Sequence, residues 1–147
     1  MEASSTAVLL APAERIWHLF TDPHKLAQWT GTTLVEGPAQ PMSPGDHLAL
    51  RAGGLWITFD VLDMRPPREL MLDSRLPFGV TNHEQIQVTP IDAHSSRVTI
   101  NCHFIFPPGW RGQLVERLLG RRFLTGPVRS LRRLKRAAEQ DPIGLAD

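Results

Sequence analysis

Strict alternation of apolar and polar residues dominates the middle of this 147-residue sequence. In the clearest case, Ile100, Cys102 and Phe104 alternate with Asn101 and His103. A period of two predicts an antiparallel strand with one buried side and one side in water. Glycines and prolines interrupt the alternation repeatedly, so the pattern predicts several separate strands joined by turns.

We predict six strands in this region, at about 32–36, 46–52, 55–65, 69–76, 82–90 and 96–106. An opening strand at about residues 6–10 brings the total to seven. Pro12 and the pair Asp22-Pro23 are helix start signals, because proline fits the first helical turn and aspartate caps it. Two short helices therefore follow the opening strand, the second ending at about Gln28.

The segment from Trp110 has the three-to-four spacing of an amphipathic helix. Its apolar positions include Leu114, Val115, Leu118, Leu119 and Phe123. Pro127 predicts a kink or a break in this helix, because proline removes one hydrogen bond of the ladder.

These elements predict an α+β fold in which a curved, seven-stranded antiparallel sheet wraps around a long C-terminal helix. The dry face of the sheet must be covered by that helix. One helix cannot fill the concavity of such a sheet, so we expect an apolar cavity between them, as in many small-molecule sites. We expect one domain over 1–147, with a core of about 5–138 and a frayed tail at 139–147.

Composition narrows the class of protein further. The 21% of charged residues is a globular value, and the single cysteine, Cys102, cannot form an internal disulfide. No apolar run is long enough to span a membrane, and the N-terminus lacks the early basic residues of a secretory signal. We therefore expect a cytoplasmic protein.

Few residues carry recognisable chemistry. The histidines have no metal-ligand spacing, and no phosphate-binding or nucleic-acid-binding motif occurs, so we predict no metal, no cofactor and no nucleic acid. Glu84 shares the inward parity of Ile86, which predicts a carboxyl with a raised pKa that faces the cavity. It would act as a general acid or base, or as a hydrogen-bonding anchor; alternatively, it reaches water at the strand end.

The run APAERIWHLFTDPHKLAQW at residues 11–29 resembles the N-terminal signature of the SRPBCC superfamily, the START-like or Bet v 1-like helix-grip domains. The matching positions are Pro12, Ile16, Trp17, Asp22, Pro23, Leu26 and Trp29. The runs VLDMRPPREL (61–70), SSRVTI (95–100) and FPPGWRGQLVERLLGRRFL (106–124) are also similar to members of this superfamily. The resemblance covers roughly 5–138 and is greatest to a polyketide cyclase/dehydrase-like or lipid-transport-like subgroup.

The resemblance implies three functions. The first is binding of a hydrophobic small molecule, lipid-like or aromatic, in the cavity. The second is a cyclase or aromatase that uses the same cavity with Glu84 as acid or base. The third is a chaperone-activator-like interaction domain, which would have little or no cavity. For the first two, we predict ligand-binding residues at Trp29, Phe59, Glu84, Ile86, Ile100, Cys102, Phe104, Trp110, Leu114 and Leu118.

Charge and exposure suggest further contacts. Residues 111–147 carry 9 Lys and Arg against 4 Asp and Glu, whereas residues 1–110 carry 7 against 11. We interpret the basic segment as the solvated face of the long helix, the alternative being a surface for an acidic partner. Trp56 alternates with Ile57 and is expected on the convex face of the sheet, where an exposed indole indicates a homodimer contact.

Overall fold

The computed structural model describes residues 1–140, so the predicted tail from residue 141 onward lies outside the described residues. The strands are β1 (Glu2–Leu9), β2 (Thr33–Glu36), β3 (His47–Ala52), β4 (Leu55–Arg65), β5 (Glu69–Arg75), β6 (Thr81–Pro90) and β7 (Ser96–Ile105). The helices are α1 (Ala13–Thr21), α2 (Pro23–Thr30), α3 (Trp110–Leu124) and α4 (Gly126–Glu139), and a 3-10 turn covers Pro77–Gly79.

The seven strands form one antiparallel sheet in the order β1-β7-β6-β5-β4-β3-β2. This arrangement confirms the predicted seven-stranded sheet. β1 begins earlier than the sequence predicts, because Glu2 already pairs with His103 on β7. The segment is rich in small and polar residues, so its strand character comes from this pairing, supported by a 2.6 Å hydrogen bond from Ser4 Oγ to Asn101 Oδ1.

The two short helices form where the sequence predicts them. The Asp22 carboxylate caps α2 by accepting hydrogen bonds from the backbone N–H groups of His24 and Lys25, at 3.0 and 3.3 Å. Gly31 ends α2 in a left-handed conformation (φ 72°), which glycine adopts without steric cost. The cap and the C-terminal glycine together fix Trp29 in the last turn of α2.

The long C-terminal helix is bent, as predicted from Pro127. Its two parts, α3 and α4, meet at Thr125, whose backbone (φ −89°, ψ 0°) departs from helical values. The apolar face of α4 is buried through Leu131, Leu134 and Ala138. Glu139 closes this helix against the chain after β1, because its carboxylate accepts a 2.7 Å hydrogen bond from the backbone N–H of Leu10.

Glycines set the rotation of α3. Gly112 and Gly120 are its buried residues, and both lie on the side of the helix that packs against the rest of the protein. A Cβ atom at Gly112 would lie 1.6 Å from the carbonyl oxygen of Pro107, so no other residue fits there. Pro107 belongs to the segment that leads into α3, so Gly112 allows this segment to lie against the first turn of the helix.

No helix within residues 1–140 has the length and apolar character needed to cross a membrane.

Candidate functional site

A cavity of about 540 Å³ lies between the concave face of the sheet and the helices α2, α3 and α4. Its walls are mainly apolar. The apolar lining residues include Leu26, Leu50, Leu55, Ile57, Phe59, Leu76, Phe78, Ile100, Phe104, Leu119 and Phe123. The exposed lining residues form what we call the cavity mouth: Leu55, Phe78, Arg122 and Arg133.

Six of the ten predicted ligand-binding residues line this cavity: Trp29, Phe59, Glu84, Ile100, Cys102 and Phe104. Five of the six lie on strands, where period-two alternation fixes which side a residue faces. Trp29 is held from α2, because its indole Nε1–H donates a 2.7 Å hydrogen bond to the carbonyl oxygen of Leu19. The ring therefore has one defined orientation against the cavity.

The other four predicted residues lie outside the cavity lining, and these predictions are corrected. Ile86 is buried, with 6% exposure, but it belongs to the core, since β6 also packs against α1. Trp110, Leu114 and Leu118 are 68%, 44% and 71% exposed. The glycine face of α3 is turned inward instead, so Leu119 and Phe123 line the cavity where Leu114 and Leu118 were expected.

Glu84 brings a carboxyl group into this apolar space. Burial raises the pKa of Glu84 from 4.5 to about 7, and a hydrogen bond from Asn82 lowers it by a smaller amount. Asn82 Nδ2–H donates this bond to Glu84 Oε1 at 3.1 Å. Glu84 keeps some accessible surface because the cavity admits water-sized groups, although protein surrounds its carboxyl. The acid is thus poised between its neutral and its charged form near neutral pH.

Two polar atoms next to Glu84 have no hydrogen-bond partner among residues 1–140. These are Ser74 Oγ and Asn82 Oδ1, on side chains only 1% and 5% exposed, and both residues line the cavity. Leaving a buried polar atom unsatisfied costs about 1–3 kcal/mol. We call Glu84, Asn82 and Ser74 the polar floor. It offers an acceptor at Asn82, a hydroxyl at Ser74 and, when Glu84 is neutral, an acidic proton.

Cys102 lies beside the polar floor, and Asn82 Nδ2 is 3.7 Å from its sulfur. Burial, and then the Glu84 carboxylate, raise the pKa of the Cys102 thiol to about 12. A thiolate is the reactive form of cysteine. Cys102 is therefore a small apolar part of the wall and not a nucleophile.

Sequence reasoning missed three arginines that line the cavity, Arg122, Arg129 and Arg133. It placed them on a solvated helix face because they belong to a charge run. The sequence feature that bears on their position is Pro127, because the bend there brings the end of α3 and the start of α4 to the cavity. Phe78 was missed as well; its left-handed backbone (φ 67°) is unusual for a residue with a side chain.

Within residues 1–140, no group of three or more His, Cys, Asp or Glu side chains is placed to hold a metal ion.

The family model described as "polyketide cyclase / dehydrase and lipid transport" matches residues 1–139, in agreement with the resemblance found in the sequence. No curated protein matches the sequence significantly.

Solved structures share the fold. DynU16, a protein of the dynemicin biosynthetic locus, has 20% identity and a TM-score of 0.70; 92% of this chain is covered, but it spans only 46% of DynU16. A protein from Chromobacterium violaceum has 20% identity and a TM-score of 0.68, with 96% of this chain and 99% of that chain covered. The Aha1 dimer from Colwellia psychrerythraea has 15% identity and a TM-score of 0.71, over 95% and 96% of the two chains.

Proposed function

Because the chain belongs to the polyketide cyclase/dehydrase and lipid transport family, we propose that it binds a hydrophobic small molecule, lipid-like or aromatic and polyketide-like, in the cavity under α3 and α4. The observation that carries the proposal is an apolar cavity whose floor holds unsatisfied polar atoms. A volume of about 540 Å³ is in the range of small-molecule sites, which measure about 300–1,000 Å³.

The polar floor defines one feature of the ligand. Neutral Glu84 can donate a hydrogen bond, Asn82 Oδ1 can accept one, and the Ser74 hydroxyl can do either. A hydroxyl or carbonyl group on the ligand would satisfy these atoms, while its apolar body would occupy the walls. We therefore propose a ligand whose apolar body carries a neutral oxygen group at the end that faces the floor.

Two neighbouring leucines of α3 give a matched test. Leu119 lines the cavity, whereas Leu118 is 71% exposed. The dye Nile red, which is neutral and apolar, serves as the probe. We expect it to bind the wild type and Leu118→Trp with similar affinity, and to bind Leu119→Trp more weakly, because the larger indole takes space from the cavity. Equal binding by both variants would refute the cavity as the binding site.

Native mass spectrometry of freshly purified protein, followed by denaturing extraction, gives an independent test. A retained small molecule of defined mass that is absent from Leu119→Trp would support the proposal and give the ligand class. The same molecule retained by Leu119→Trp would place it elsewhere on the protein.

A second candidate function is favoured by the state of Glu84. A carboxyl with a pKa of about 7 can give or take a proton near neutral pH, as the general acid or base of a cyclase must. The assay is ring closure of a synthetic poly-β-ketone, followed by aromatic absorbance. In this case, Glu84→Gln should abolish turnover, yet change Nile red binding by no more than one hydrogen bond, about 0.5–1.5 kcal/mol. Unchanged turnover would show that Glu84 is not the general acid or base of the reaction.

The cavity weighs against the third alternative, a chaperone-activator-like interaction domain, because such a domain needs no internal space. A cytoplasmic location and a homodimer remain proposals. Trp56 is 48% exposed, with the Arg51 guanidinium 5.0 Å from its ring centroid. Light scattering over a range of concentrations should give a dimer mass for the wild type and a monomer mass for Trp56→Ser.

A further inference from the structure

Three arginines surround the part of the cavity that opens to water. Arg122 belongs to the last turn of α3, and Arg129 and Arg133 lie one turn apart on α4. All three line the cavity. Arg122 and Arg133 are exposed at the cavity mouth. Arg129, which lies between them in the sequence, is half-buried.

Hydrogen bonds to neutral groups hold two of these side chains in place. Arg129 donates to the Arg122 carbonyl oxygen at 2.9 Å, across the bend at Thr125. Arg133 donates to the carbonyl oxygen of Thr30 at the end of α2. A guanidinium has five N–H donors, so these bonds leave donors of each arginine for a ligand.

Among the described residues, the three arginines form a cluster of positive charge. Across residues 1–140, no carboxylate lies within ion-pair distance of Arg122, Arg129 or Arg133. Burial lowers the pKa of Arg129, and the like charges of Arg122 and Arg133 lower it further. Three clustered cations repel one another, and an anion placed among them would relieve that repulsion.

We infer that the cavity mouth binds the anionic head group of an amphiphilic ligand, a carboxylate or a phosphate monoester held by Arg122, Arg129 and Arg133. Guanidinium groups bind both oxyanions through paired, charge-assisted hydrogen bonds. The inference rests on the proposed function and adds a second end to its ligand: the neutral oxygen group faces the polar floor, and the anion faces water.

The two ends of the cavity differ in a way that would orient such a ligand. The floor contains Glu84, which as an anion would repel a ligand carboxylate and as a neutral acid offers it a single hydrogen bond. The mouth and the half-buried Arg129 together offer three cations, and the mouth is in contact with water, so an anion there keeps part of its hydration. The apolar body therefore enters first, and the head group stays at the mouth.

The test compares acids with neutral alcohols of the same length. Octanoate, dodecanoate and hexadecanoate, the three corresponding alcohols and dodecyl phosphate compete with bound Nile red at low salt and mildly alkaline pH. We expect the wild type to bind an anion about tenfold more tightly than its alcohol, the equivalent of about one charge-assisted contact. Higher salt should reduce this preference, because the mouth is exposed to solvent.

Variants assign the preference to these side chains. The double variant Arg122→Gln with Arg133→Gln keeps only Arg129, and we expect it to lose most of the preference for anions, with a much smaller change in alcohol affinity. Arg132→Gln is the matched control, since Arg132 lies on α4 but not in the cavity lining, and it should keep the wild-type preference. Alcohol binding by the double variant would also show that the protein is folded.

The outcomes separate the inference from the proposed function. If alcohols bind as tightly as both kinds of anion, the cavity site stands and the anion inference is overturned. If the double variant keeps the full wild-type preference, or Arg132→Gln loses it, the inferred anion site at the cavity mouth is overturned. If neither alcohols, acids nor Nile red bind, the proposed function itself is refuted. Tighter binding of either anion than of its alcohol supports the inference. The ratio of the affinities for dodecanoate and dodecyl phosphate shows which head group the site prefers.

Discussion

Replacing Glu84 by Gln should remove a specific pH dependence from the stability of the protein. In the native state, burial raises the pKa of Glu84 from 4.5 to about 7. In the unfolded chain the carboxyl returns to its ordinary value. Between these two pH values the native state holds a proton that the unfolded state has released. Stability from this group is therefore complete below about pH 4.5 and falls as the pH rises towards 7.

The size of the effect follows from the shift. One pKa unit corresponds to about 1.4 kcal/mol, so a shift from 4.5 to about 7 costs the wild type up to about 3 kcal/mol above pH 7. Water in the cavity would solvate the carboxylate and reduce this figure, so it is an upper value. Glutamine keeps the shape and stays neutral, so Glu84→Gln should exceed the wild type in stability by up to about 3 kcal/mol at about pH 8. At about pH 4, the two should differ by about one hydrogen bond.

The measurement is urea unfolding of the ligand-free wild type and variant across this pH range. The difference between the two curves removes the contribution of all other titrating groups, including the histidines. Glu116→Gln on the exposed side of α3 is the control, and it should change stability by about 0.5 kcal/mol or less at each pH. A stability difference between Glu84→Gln and wild type that stays constant from pH 4 to pH 8 would refute the buried, neutral carboxyl.

Three further predictions test the packing around the site. Gly112→Ala should destabilise the protein by about 3 kcal/mol or more, or prevent folding, because its Cβ would lie 1.6 Å from the Pro107 carbonyl oxygen. Thermal unfolding measures the loss, and Gly126→Ala is the comparison: its Cβ would meet nothing apart from its chain neighbours, so it should cost clearly less than Gly112→Ala. Cys102, whose thiol has a pKa of about 12, should react with Ellman's reagent at pH 8 only after unfolding; rapid reaction of the native protein would contradict its burial. Phe78→Gly should relieve a left-handed backbone and raise stability by about 0.5–1 kcal/mol, whereas Phe78→Ala should not, and equal effects would show that φ 67° carries no strain.

Much of the fold follows from local patterns in the sequence. Alternation along β7 places Ile100, Cys102 and Phe104 on one side, and this holds in the structure because a strand has only two faces. The start of α2 is equally local, since Asp22 and Pro23 supply the cap and the first turn. These features depend on residues close in sequence and therefore survive without knowledge of the tertiary contacts.

The rotation of α3 could not be read from its apolar residues. Leu114 and Leu118 form one apolar stripe and Leu119 and Phe123 another, and hydrophobicity alone does not choose between them. The side of α3 with the buried Gly112 and Gly120 packs inward, and the stripe of Leu119 and Phe123 lies next to it. The buried glycines eight residues apart were the available signal.

The polar parts of the site were predictable to different degrees. The inward direction of Glu84 followed from the parity of β6. The positions of the arginines in the cavity lining could not be predicted from the sequence. Arg129 and Arg133 reach the cavity only through the bend between α3 and α4. Charge in a helical run says nothing by itself about which members face a cavity.

The pairing of the first strand with the last has a consequence for how the chain assembles during synthesis. Ser4 and Asn101, which share a hydrogen bond across β1 and β7, are 97 residues apart in the chain. The strands β3 to β7 pair with their sequence neighbours. They can therefore form hairpins while the chain is still being synthesised. β1 must wait as an unpaired segment until β7 emerges, and non-local pairing of this kind slows folding. The cavity has walls from β7 and α4, which follow all the other strands in the chain, so no ligand can be held before the residues through α4 have been made.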